Sequence, residues 1–162
     1  MNRILSCLML VGLMALSSAG IAAQDEAAPW GRAAAQNGDY APQRVVYDVA
    51  VGSVGAMESV LDRVSYLNNL YQADPFESSI VVVLHGDEIP FFAVKNMARH
   101  GELMRRAQSL TVAGPIEFRM CTVAARAHGY EPADIHGFVT MVPMADGEII
   151  KLQREDDYAY MR

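Results

Sequence analysis

Five consecutive aliphatic residues, Ile80-Val81-Val82-Val83-Leu84, set the strongest constraint on this chain. A strand of this kind has no polar side to offer water. It reads as a central strand buried on both faces. Arg44-Val45-Val46-Tyr47-Asp48-Val49-Ala50-Val51 has the same near-continuous apolar character and reads as the first strand. Between them, Val54, Met57, Val60, Leu61, Val64, Leu67 and Tyr71 recur at helical spacing. Ser53 stands at the N-cap position and Asp74-Pro75 closes the helix near Gln72.

The alternation continues. A second helix is expected over about Met97 to Leu110, with Leu103, Ala107 and Leu110 inward and Gly101 as a weak point. Pro90 leaves the state of Ile89 to Val94 open. Gly114-Pro115 resets the chain into a third strand, Ile116 to Cys121, and a helix starts at once from Thr122 and stops near Gly129. Phe138 to Val142 reads as a fourth strand, Asp146 to Arg154 as a short helix, and Tyr158 to Met161 as a final strand. This order implies a single three-layer α/β/α domain with a mostly parallel sheet of about five strands and right-handed crossovers.

The domain occupies residues 44–162. Ahead of it, residues 1–23 have the form of an export signal: Arg3, then the apolar Ile4 to Leu16, then a small-residue stretch ending in Ala22-Ala23. Residues 24–43, rich in Ala, Gly, Gln and Asp, read as a flexible arm. Export places the mature chain in an oxidising compartment, the periplasm of a Gram-negative cell, without a stable membrane anchor. The net charge is −6, and loss of residues 1–23, which hold one basic and no acidic residue, makes it −7. An acidic chain with only two lysines, Lys95 and Lys151, argues against nucleic-acid binding and against docking on anionic membranes.

Of the two cysteines, Cys7 lies in the signal, so Cys121 is the lone thiol of the mature chain. It stands where a strand runs into a helix, at the edge of a parallel sheet where ligands bind. A helix start offers unpaired N–H groups that favour a thiolate. His85 follows the second strand on the same predicted edge, where it can serve as base toward the thiol or hold the Gly86 turn through the backbone. Arg119 and Arg126 lie close in sequence and are candidate supports. A metal pair of Cys121 and His128 fails on geometry: seven residues of helix separate them by about 10 Å of rise, against ligand distances of ~2.0–2.3 Å. His100 and His136 read as solvated or helix-end residues. Gly52-Ser53-Val54-Gly55 lacks both the dinucleotide and the Walker signatures and reads as a tight turn. No cofactor or metal is expected.

The opening Val45-Val46-Tyr47-Asp48-Val49 strand, Leu67-Asn68-Asn69-Leu70 before Ala73-Asp74-Pro75, Ile80 to Gly86, the strand into Cys121, and Leu152-Gln153 before Tyr158-Ala159-Tyr160 together resemble the DsrE/DsrF-like family of small sulfur-relay proteins, over roughly Val45 to Met161. The resemblance implies a flavodoxin-like sheet and homo-oligomers, or hetero-oligomers with DsrE-like chains. It also implies that Cys121 carries sulfane sulfur as a persulfide between donor and acceptor proteins. Two readings follow: an exported sulfur carrier or sulfurtransferase component working through Cys121, and a non-catalytic oligomeric binding module in which the cysteine is buried.

Overall fold

The computed structural model describes residues 28–112 and 114–162. The expected export signal over residues 1–23 lies outside the described residues. Residues 28–43 carry a turn at Pro29–Trp30 and no helix or strand. The chain divides into two compact units at Gly38 and Asp39, and the second is the α/β domain.

Five strands form one sheet: β1 (Arg44–Val49), β2 (Ser79–Leu84), β3 (Ile116–Cys121), β4 (Val139–Val142) and β5 (Ala159–Met161). Every pairing is parallel, and the order across the sheet is β4-β3-β2-β1-β5. Four helices connect them: α1 (Val54–Leu70), α2 (Met97–Val112), α3 (Thr122–Ala127) and α4 (Ala145–Glu155). This is the expected three-layer α/β/α architecture of flavodoxin-like type, with the edge strand beside β1 supplied last in the chain.

The order dictates the layers. From β1 to β4 each crossover steps the same way, so right-handed connections put α1, α2 and α3 on one face. The step from β4 to β5 runs back across the sheet and puts α4 on the other. Burial follows this division. Val45, Tyr47, Val49, Ile80, Val82, Leu84, Ile116, Phe118 and Met120 pack with residues of α1, α2 and α3. Val46, Val81, Val83 and Cys121 pack with Ala145, Ile149 and Leu152 of α4. Alternate strand residues thus feed two cores, and each fully buried aliphatic contributes roughly 1.5–3 kcal/mol.

Local chemistry sets the boundaries. The Ser53 side chain accepts the Ala56 N–H at 3.2 Å and caps α1. That helix stops at Leu70, short of the expected Gln72, because Gln72 and Ala73 take left-handed φ of 58° and 52°. Ile89–Phe92 and Val94–Asn96, ambiguous in sequence, are 3-10 turns. In α2 the helix is interrupted at His100 (φ −118°), next to Gly101. Gly129 takes φ +78° just past α3 and supplies the left-handed residue that the helix end requires. Among the described residues no helix is long and apolar enough to cross a membrane.

Candidate functional site

In β1 the odd-numbered residues Val45, Tyr47 and Val49 pack on the three-helix side, so Asp48 projects to the side of α4. The same alternation in β2 turns His85 to that side, and in β3 it turns Cys121 there. Leu84 is the register partner of Met120, so His85 and Cys121 each follow that pair by one residue, and the His85 ring reaches Asp48 of β1, which flanks β2 on the side away from β3. Asp48, His85 and Cys121 therefore stand on three neighbouring strand ends, on one face, at the C-terminal edge of the sheet.

Asp48 and His85 are in contact, with Nε2 and Oδ1 2.5 Å apart. The Tyr160 hydroxyl of β5 donates to the other carboxylate oxygen of Asp48. Burial pushes the Asp48 pKa up. The hydrogen bonds from Tyr160 and His85, with the charges of His85 and Arg162, outweigh it and hold the carboxyl below its ordinary value. An ionised carboxylate only accepts hydrogen bonds. Nε2 therefore carries a proton and donates it to Asp48. The same bond raises the Tyr160 phenol above its ordinary value and keeps it protonated. His85 is half-buried, with 28% of its side chain exposed.

Cys121 lies at a topological switch. α3 leaves β3 toward one face, and α4 leaves the neighbouring β4 toward the other. Cys121 pairs in register with Val142. Its sulfur accepts the Ala124 N–H at 3.4 Å, so the cysteine is itself the N-cap of α3. Only 5% of the residue is exposed, because it packs within the α4 core. Among the described residues no hydrogen bond joins Cys121 to His85.

The nearby arginines serve elsewhere. Arg119 shares the face of Cys121, but its head is held by Glu117 of its own strand and by Glu148 of α4. Burial lowers its pKa, and the two carboxylates more than reverse the effect. Arg126 pairs with Glu131 at 3.1 Å. His128 faces Asp87 at 3.8 Å, away from Cys121. His100 packs its ring on Phe91, at 4.9 Å between centroids. His136, expected as a solvated or helix-end residue, follows the 3-10 turn Pro132–Asp134; it stacks on Phe138, and its buried Nε2 has no protein hydrogen-bond partner. Among the described residues no group of three or more His, Cys, Asp or Glu is arranged to hold a metal.

Two residues of the site were hidden in the sequence. Asp48 stands there simply as part of the first strand, although a charge inside an otherwise apolar strand was a usable signal. Glu88 is fully buried and accepts the Val51 and Gly86 N–H groups at 2.8 Å each. It clamps the loops after β1 and β2 together and so fixes the strand ends that carry Asp48 and His85.

No family model matches the chain, and no curated protein matches it. Among solved structures, the fold is shared with a protein of unknown function, MTH1491 from Methanobacterium thermoautotrophicum. That chain is 23% identical, with a TM-score of 0.60 over 74% of this chain and 98% of its own. At that identity the likeness carries the fold alone.

Proposed function

We propose that the chain is a periplasmic, DsrE-like sulfur carrier that holds sulfane sulfur as a persulfide on Cys121, with His85 as its base. The Cys121 thiolate attacks the outer sulfur of a donor persulfide. The new S–S bond forms on Cys121, the donor's S–S bond breaks, and the donor leaves as a thiol after taking up a proton. An acceptor thiolate then removes that sulfur in the same way, so no net oxidation occurs. His85 takes the Cys121 proton on Nδ1 and returns one to the leaving thiolate. Asp48 and Tyr160 are positioning residues that fix the tautomer of His85.

The reading is supported by the position of Cys121, which lies at the C-terminal edge of the sheet on the same face as His85 and the Asp48 carboxylate that His85 contacts. Sulfur exchange also needs a docking surface. Val123 and Met144, 62% and 51% exposed, flank the corner that covers the thiol. Donor or acceptor proteins, or a second DsrE-like chain in a homo- or hetero-oligomer, would seat there and displace the first turn of α4. Intact-mass analysis after incubation with a sulfane-sulfur donor tests the reading. Wild type should gain one sulfur atom and Cys121→Ser none; an equal gain on the serine variant would remove the proposal.

One observation favours a second reading, a non-catalytic oligomeric binding module with a structural cysteine: the 5% exposure of Cys121. A thiol reagent separates the two. Labelling of the native protein much faster than global unfolding supports the carrier, and labelling only on denaturation supports the binding module.

A further inference from the structure

β5 is three residues long, each of them exposed, and it stands at the edge of the sheet. Its pairing with β1 runs over Val45–Tyr47 and stops one residue before Asp48. A ladder this short is at the lower limit for a strand, so contacts outside it decide how firmly β5 sits. Its start is tied down. The Tyr158 hydroxyl donates to Ser79 Oγ at 2.8 Å, and the Tyr158 N–H donates to the Leu152 carbonyl at 3.0 Å. At the far end the Tyr160 hydroxyl donates to Asp48, and Arg63 of α1 donates to the main-chain oxygen of Arg162 at 3.2 Å. Arg63 is itself oriented, with its guanidinium 5.4 Å from the centre of the buried Tyr47 ring.

We infer that Arg63 is a positioning residue for His85. By holding Arg162 it keeps the end of β5 on β1, and so keeps the Tyr160 hydroxyl on the carboxylate that His85 contacts. The path crosses the sheet. Tyr47 packs with Met57, Val60 and Leu61 of α1 on the three-helix side, whereas Asp48 projects to the side of α4. Arg63 therefore comes to the edge of β1 from the face opposite Asp48, and the chain from Tyr160 to Arg162 connects the two. The groups that act on Asp48 are His85, Tyr160 and Arg162. Burial raises its carboxyl, and the Tyr160 bond is foremost among the contacts that lower it. Freeing the end of β5 would therefore move Asp48 upward. What His85 does toward Cys121 rests on the carrier reading; the link from Arg63 to Asp48 does not.

Carbon-13 NMR titration of the Asp48 carboxyl tests it, in wild type, Arg63→Met, Tyr160→Phe and the double variant. Tyr160→Phe should raise the Asp48 midpoint. Arg63→Met should raise it by no more than that, and should add nothing in the Tyr160→Phe background. Arg63→Lys, which keeps a donor, should recover part of the shift. If Arg63→Met does not fold, Arg63→Ala is read in the same way. An unchanged midpoint in a folded Arg63 variant would overturn the inference. So would a shift that persists in full without the Tyr160 hydroxyl, because Arg63 would then act through its own charge. Sulfur loading is the separate readout: Arg63→Met should slow it, as Tyr160→Phe does, and loading at wild-type speed would also overturn the inference. A wild type that takes up no sulfur, with the Asp48 shifts as expected, would remove the carrier reading and uphold the coupling.

Discussion

Replacing Gly86 by alanine puts the account of the strand-end clamp under the sharpest strain. The φ of Gly86 lies outside the left-handed region, so alanine can adopt the backbone. With no obstacle the change would stabilise by roughly 0.4–1 kcal/mol through the unfolded chain. The surroundings reverse the sign. An added Cβ would sit 2.6 Å from the Ala50 Cα, 2.9 Å from the Ala50 Cβ and 2.9 Å from a Glu88 carboxylate oxygen. Ordinary carbon contacts lie at about 3.5–4.0 Å, so the overlap with the Ala50 backbone just past β1 is on the order of 1 Å. The Ala50 backbone cannot rotate away as a flexible side chain would. Overpacking of this kind costs about 1–3 kcal/mol. Displacing Glu88 also weakens its bonds to the Val51 and Gly86 N–H groups, worth roughly 1.5–3 kcal/mol each when intact. The net expectation is a loss of about 2–4 kcal/mol. Urea unfolding followed by circular dichroism measures it: with a slope on the order of 1–3 kcal/mol/M, the midpoint should fall by about 1–2 M. Gly86→Ala with wild-type or higher stability would refute the close approach of β1 to the β2 loop and the clamp with it.

The opposite sign is expected at Gly147, an exposed position of α4 with no atom within 4 Å of an added Cβ: Gly147→Ala should raise stability by roughly 0.5–1 kcal/mol in the same assay. Asp48 has a folded pKa held below its ordinary ~3.9. Its contribution is therefore complete above the unfolded value and lost as pH falls through the lower folded value. The melting-temperature gap between wild type and Asp48→Asn should be constant near neutrality and close in acid; a gap that widens there would contradict the assignment. Arg119→Met should leave Glu148 unpaired beneath α4 and cost roughly 1–3 kcal/mol. Adding Glu148→Gln should recover part of that loss, and strict additivity in the double-mutant cycle would show the pair uncoupled.

The parallel layers were legible because β1 and β2 are apolar on both faces and α1 repeats at helical spacing. β3 was legible to the residue, since Gly114-Pro115 and the start of α3 bound it tightly. The strand order was not. Local patterns say that Tyr158–Met161 forms a strand, but its place beside β1 depends on contacts more than a hundred residues apart, such as Tyr160 with Asp48. For the same reason the role of Asp48 was not legible: its partners come from β5 and from the end of β2, and neither is visible from β1 alone. Arg119 was legible as a neighbour of Cys121, yet its commitment to Glu148 depended on which helix covers that face. The burial of Cys121 was hidden likewise, because it depends on α4 packing over that side of the sheet.

The central claim is that Cys121 carries sulfur, and mass measurement on the intact protein tests it most directly. After exposure to a sulfane-sulfur donor, wild type should gain one sulfur atom and lose it on adding an acceptor thiol. His85→Ala should load more slowly, and Cys121→Ser should not load. Wild-type protein that stays unmodified under native conditions, while its denatured chain reacts, would contradict the claim and leave Cys121 as a buried residue of the α4 core.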